Sequence, residues 1–244
     1  MSSREELQFL SDYEPADYER PSVAVDVVLL TQVESEMRVF VVRRTEHPHK
    51  GTWTLPGSFV RPDESLDAAA TRVVEASMGI SDVYLEQLYS FGSPNRDPRT
   101  RVISVAYYAL ASWERVRRIN DTEGTALARI DVPWQGEQGG PVRLVVDDVT
   151  ARVGFDHDGI IGMAIKRVRG KLDYAPIGYQ LLPRDFSLLQ LQQVHETIAG
   201  HSLNKDSFRR RMLASNELEA TGERQDGVGH RPAALYRFTR RSAI

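Results

Sequence analysis

An α+β chain in two parts is predicted by three observations. Residues 23–31 and 37–44 are β-branched runs separated by a short polar stretch, the pattern of a hairpin. Residues 65–78 place apolar positions at helical spacing. Beyond residue 185, two more helical patterns sit on either side of Gly200 and are followed by two strand-like segments. At 244 residues and 41% hydrophobic, the chain has enough apolar surface for one large core or two modest ones.

The first 20 residues are polar and acidic, and are expected to be loosely ordered. They lack the basic-then-apolar order of a signal peptide, and no apolar run approaches the length of a transmembrane helix, so a cytoplasmic protein with no membrane partner is expected. The absence of cysteine excludes disulfides, thiol nucleophiles and cysteine-based zinc sites. His47, His49 and His157 are too scattered to suggest a metal site, and His157 is expected to make a hydrogen bond at a helix start.

After the hairpin comes Gly51-Thr-Trp-Thr-Leu-Pro-Gly57, and then residues 56–80. Together they resemble the segment that leads into the Nudix box, and the box itself. Glu64, Arg72 and Gly79 stand at the matching places. Ser58 replaces the opening Gly, and Val73, Ala76 and Ser77 occupy the three positions where that family carries metal-binding glutamates. Residues 91–107 are similar to a loop and strand of Nudix proteins that handle ADP-ribose. The resemblance implies an α/β/α sandwich with a mixed sheet over residues 21–155.

Divalent magnesium needs several hard oxygen ligands, and helical positions three and four apart share a face. The missing glutamates would have formed one carboxylate cluster, which Val, Ala and Ser cannot build. Glu75 is one residue, about 100°, off that face. No catalytic residue, metal or cofactor is therefore expected. Binding without hydrolysis still calls for cationic and aromatic groups. Arg44, Arg61, Arg72, Arg96 and Arg99 are the diphosphate or ribose candidates, with Glu64 beside them. Arg72 has Glu64 as a competing partner, and Arg96 has Asp97. Trp53 and Tyr107 are candidates to stack on adenine, against the alternative of core packing.

The C-terminal part can be followed residue by residue. Ser187 is an N-cap, and Leu188, Leu191, Val194 and Ile198 recur at helical spacing up to Gly200. A second helix begins at Asn204 or Lys205, with Phe208, Met212 and Leu213 expected to pack inward. Residues 218–223 and 233–238 read as strands joined by a Gly-rich loop, completing a winged helix-turn-helix over residues 180–244. From residue 180 onward the charge is +3, against −6 before it. Ser207, Arg209 and Arg210 are the base-reading candidates; Lys205, Arg211, Arg224 and Arg231 are the phosphate candidates.

A Nudix domain joined by a connecting segment, residues 156–179, to this winged helix resembles the Nudix-related transcriptional regulators of the NrtR type. The carriers are residues 180–188, 203–213 and 231–238, with residues 155–161 opening the connecting helix. The resemblance implies a repressor of NAD synthesis or salvage genes, bound to a double-stranded DNA operator and released by ADP-ribose or a related nucleotide; a homodimer is expected because one winged helix reads too few bases for genomic specificity. Three alternatives stay open. One is a residual hydrolase using Glu64 with Asp63, Asp67 or Glu75; another is a sugar-responsive regulator; the third is a module whose basic helix contacts an acidic protein. Residues 133–150 read as an insertion with no assigned job.

Overall fold

The computed structural model describes residues 3–117, 123–225 and 232–239. The N-terminal segment, expected to be loosely ordered, holds helix α1 (Arg4–Asp12), capped by the Ser3 hydroxyl, which accepts the Glu6 N–H at 3.1 Å. Glu5 and Glu6 suit its N-terminal dipole, yet none of its residues is buried.

Among the described residues a nine-stranded mixed sheet follows. The hairpin of β1 (Ser22–Val33) and β2 (Glu36–Arg43) pairs Leu30 with Val39 and Val33 with Glu36. The parallel pair is β1 with β6 (Val102–Leu110); β5 (Tyr84–Phe91) and β7 (Thr125–Asp131) pair antiparallel with β6 and β2. Short strands β3 (Trp53–Thr54) and β4 (Gly57–Phe59) attach to β2 and β1.

Alternation along β1 sends Val25, Val27 and Leu29 to one core and Val28 and Leu30 to the other, so the sheet is covered on both faces. The first face is closed by α2 (Leu66–Met78) through Ala69, Ala70, Val73, Val74 and Met78. Ser65 caps its start, and Gly79, at φ +62°, ends it. Burying each valine contributes about 1.5 kcal/mol. That outweighs the helix-propensity cost of a β-branched residue, about 0.5 kcal/mol. The short α3 (Trp113–Val116) adds Val116 to this side.

Helix α4 (His157–Lys171) closes the other face with Ile160, Ile161, Ala164, Ile165 and Val168. The segment without an assigned job has a structural one. It supplies strands β8 (Arg143–Val146) and β9 (Val149–Thr150) to the sheet edge and sets the Trp134 ring 4.9 Å from the Arg169 guanidinium of α4.

The C-terminal unit has helix α5 (Leu188–Ala199) with a complete capping box between Ser187 and Gln190. Helix α6 (Lys205–Ala214) is capped by Asn204. Strands β11 (Leu218–Arg224) and β12 (Ala234–Phe238) pair antiparallel. A third strand, β10 (Asp185–Ser187), pairs with β12 and was not foreseen; three residues running straight into a helix cap carry no alternation to detect. Phe208 and Met212 pack inward as expected, whereas Leu213 is 43% exposed. Leu181, Leu191, Phe208 and Phe238 belong to the same core cluster as Val28 and Ile160, so one apolar interior runs from the sheet through α4 into the winged helix.

Candidate effector site and nucleic-acid interface

Asp26 sits at the centre of the N-terminal site, on β1 between Val25 and Val27, and is 7% exposed. A carboxylate in a strand covered on both faces must be partnered. Ser104 on β6 donates its hydroxyl at 2.5 Å, and the Arg96 guanidinium stands 3.5 Å away. Gly57 lies directly opposite in the β1–β4 register, and a Cβ there would fall 2.2 Å from the Asp26 carboxylate.

Arg96 is not paired with Asp97. Its buried side chain binds Asp156 bidentately, Nε to Oδ2 at 3.0 Å and Nη2 to Oδ1 at 2.7 Å. Burial opposes its charge, but the bonds and field of Asp156 more than compensate and raise its pKa. Next in sequence, His157 is buried, and desolvation lowers its pKa, leaving it neutral. Its Nδ1 accepts the Leu55 N–H at 2.9 Å, so the proton belongs on Nε2, which faces Asp26 at 3.7 Å. The expectation of a hydrogen-bonding histidine at a helix start therefore holds.

In the box, Arg72 donates from Nε to Glu64 at 2.9 Å and also reaches the Ser58 hydroxyl and the Phe59 carbonyl. Hydrogen bonds from Arg72 and from the Arg61 backbone N–H lower the Glu64 pKa to about 2. Val73 is buried in the α2 core, Ala76 is exposed and Ser77 is intermediate, and Glu75 is exposed to solvent. Among the described residues, no group of three or more His, Asp or Glu side chains is placed to hold a metal.

The other candidates divide. Arg44 holds the following loop through the Pro48 carbonyl at 2.5 Å and lies 5.1 Å above the Phe155 ring, which also packs on His49 and His157. Arg99 binds Asp97 bidentately and lies over the ring of Phe59, so it borders the box. The Arg61 side chain is exposed. Trp53 packs against the core under α4. Tyr107 is buried beneath α2 with its hydroxyl on Asp67 at 2.6 Å; burial pushes its pKa up, and its ring is core rather than a platform for a base. A cleft of about 390 Å³ lies between the β1–β2 turn, α3 and α5, and none of the eight effector candidates lines it. Sequence reasoning missed Asp26, Asp156 and Phe155. The available signal was a lone carboxylate inside the apolar run 23–31.

At the C-terminal end, α6 buries Phe208 and Met212, which puts Arg210 about 200° away on the outward face, with Ser207 and Arg209 on its flanks. Lys205, Ser207, Arg209 and Arg210 are all exposed. Arg211 is exposed as well, but its guanidinium already has partners. It lies beside the buried stripe, 3.4 Å from Asp173 and 5.7 Å from the Phe208 ring centroid. Arg224 closes the base of the wing on the Pro232 carbonyl at 3.1 Å, and Arg231 lies outside the described residues. An outward basic face on the second helix of a helix-turn-helix is the arrangement that enters a DNA major groove.

Comparison with known proteins agrees with both halves. The family profile described as NUDIX domain matches residues 20–134, and that of the NrtR DNA-binding winged helix domain matches residues 178–238. The chain is 34% identical over 236 residues to the ADPR responsive transcriptional repressor NtrR of Acinetobacter baylyi, covering 96% of this chain and 88% of that protein. The crystal structure of Shewanella oneidensis NrtR complexed with a 27mer DNA superposes with a TM-score of 0.74 at 30% identity, covering 88% of this chain and 93% of that one. The Nudix domain of the same Shewanella oneidensis protein, in complex with ADP ribose, aligns with a TM-score of 0.50 at 26% identity over 67% of this chain and 98% of that one. By its fold, its two domain matches and its chain-long similarity, this protein belongs to the NrtR family of Nudix-related transcriptional regulators.

Proposed function

We propose that this chain is a transcriptional repressor of NAD synthesis or salvage genes, whose Nudix domain binds ADP-ribose without cleaving it and whose winged helix leaves the operator when that ligand is bound. The observation that carries the reading is the similarity across 96% of the chain to an ADP-ribose-responsive repressor, joined to the outward basic face of α6. Arg209, Arg210 and Ser207 read base edges; Lys205, Arg224 and Arg231 meet phosphates. Since one winged helix reads few base pairs, the binding form is a homodimer on a pseudo-palindrome.

Loss of hydrolysis is supported by the box itself. Val73, Ala76 and Ser77 offer no carboxylate, and Glu64 is already engaged by Arg72 and the Arg61 N–H. Without a metal neither a diphosphate oxygen nor a water is activated. Arg61, Arg99 and the Arg96 cluster supply the cations for a diphosphate.

The test is fluorescence anisotropy on duplex fragments selected from the genome, with and without ADP-ribose. Specific binding that ADP-ribose weakens is expected. Specific binding unmoved by saturating ADP-ribose makes this effector wrong, and calorimetric titration with sugars then becomes the next step.

A further inference from the structure

The two residues that enter α4 are each held by a different effector candidate. Phe155, at φ +56°, is a non-glycine residue in the left-handed region, and the Arg44 guanidinium lies over its ring. Asp156 follows at the N-cap position of α4, where an aspartate ordinarily accepts the first-turn amides. Its side chain makes no cap hydrogen bond and instead presents both oxygens to Arg96. The far end of the same helix, about 22 Å away by its length, reaches the DNA-reading unit. Arg169 donates to the Ile198 carbonyl at the end of α5 at 2.8 Å, and Asp173, just past α4, pairs with Arg211 of α6.

We propose that Asp156 is the positioning residue that transmits ligand occupancy to the DNA-reading helix. The inference rests on the effector reading above. A diphosphate is a better bidentate partner for a guanidinium than a single carboxylate, because it brings more charge in the same geometry. When it takes Arg96, Asp156 is released and turns to the Asp158 N–H in the first turn of α4, the next amide, of Gly159, being already held by the Asp158 carboxylate, and the backbone at Phe155 is relieved. The start of α4 then resets, and the helix carries the change through Asp173 and Arg169 to α6 and α5. The Asp156–Arg96 pair is thus a mark of the operator-binding state, and ligand and operator compete through it without sharing a site.

The experiment uses the full chain with Asp156→Asn, a substitution close in size that weakens the hold on Arg96 and keeps a cap acceptor. ADP-ribose affinity is read by calorimetry and operator affinity by anisotropy. Because linkage is reciprocal, the variant should bind ADP-ribose about tenfold more tightly and the operator correspondingly more weakly, with a smaller remaining response to ligand. Phe155→Gly, which removes the left-handed strain by another route, should blunt the response in the opposite sense, holding the operator in the presence of ligand. An Asp156→Asn variant with both affinities unchanged overturns the proposal. So does one that loses both, since an opened latch must favour the ligand. Wild-type protein indifferent to ADP-ribose would instead sink the effector reading, and the two failures are separate.

Discussion

His195 of α5 stands edge-on against Phe208 of α6, ring centroids 5.0 Å apart at 69°. Burial pushes the His195 pKa down to about 4, and the nearby Arg211 charge adds to the shift. The folded state therefore keeps this imidazole neutral, while the unfolded chain protonates it near pH 6.5. The stability it contributes is complete above that value and is lost as pH falls from about 6.5 towards 4, by up to about 3 kcal/mol. Urea unfolding at pH 7.5 and pH 5 should show the loss, and His195→Gln should flatten it. An equal slope in the variant would place the acid sensitivity elsewhere, with buried His157 the next group of the same sign.

The outward and flanking positions of α6 should not be equivalent. Replacing Arg209 and Arg210 together by Ala is expected to weaken operator binding by on the order of a hundredfold or more, at about 1–3 kcal/mol for each lost base contact. Arg211→Ala should cost much less in affinity, because that guanidinium is shared with Asp173 and the Phe208 ring. Anisotropy titrations at one fixed salt concentration decide it; equal losses would mean that Arg211 leaves Asp173 on binding DNA.

Gly57 gives a sharper steric test. A methyl group there meets the Asp26 carboxylate at 2.2 Å and the Val25 carbonyl at 2.8 Å, and the second obstacle is backbone. Gly57→Ala should lower stability by about 1–3 kcal/mol through forced displacement. It should also weaken ADP-ribose binding, because the Asp26–Arg96 contact must move. A thermal melt unchanged from wild type would show that β4 is not seated on β1 as described.

Incubation with ADP-ribose and magnesium should release no AMP above the level of a Glu64→Ala control. Product formation that depends on Glu64 would restore the hydrolase reading and require carboxylates outside the usual frame to hold the metal.

Much of the architecture could be read from local pattern, because the elements that carry it are long or punctuated. The hairpin has its alternation, α5 has Ser187 and Gly200 at its ends, and α6 has Phe208 and Met212 one turn apart. What escaped was pairing between segments distant in sequence. Arg96 had Asp97 beside it in the chain, and nothing local says that Asp156, 60 residues away, takes its guanidinium instead. Tyr107 was a plausible stacking platform until the packing of α2 over β6 decided which face of the strand it occupies. Strand β10 has a partner, β12, that lies some fifty residues further on.

The interior shared by Ile160, Leu191 and Phe238 has a consequence for how this protein can be handled. A fragment cut between residues 171 and 185 would expose apolar faces on both pieces, since α4 and α5 each lose part of their packing. The chain should melt in a single calorimetric transition rather than two, and an isolated winged helix should be prone to aggregate. Movement of the DNA reader then has to be a sliding of packed helices, a matter of an ångström or two, and not the swing of a tethered module.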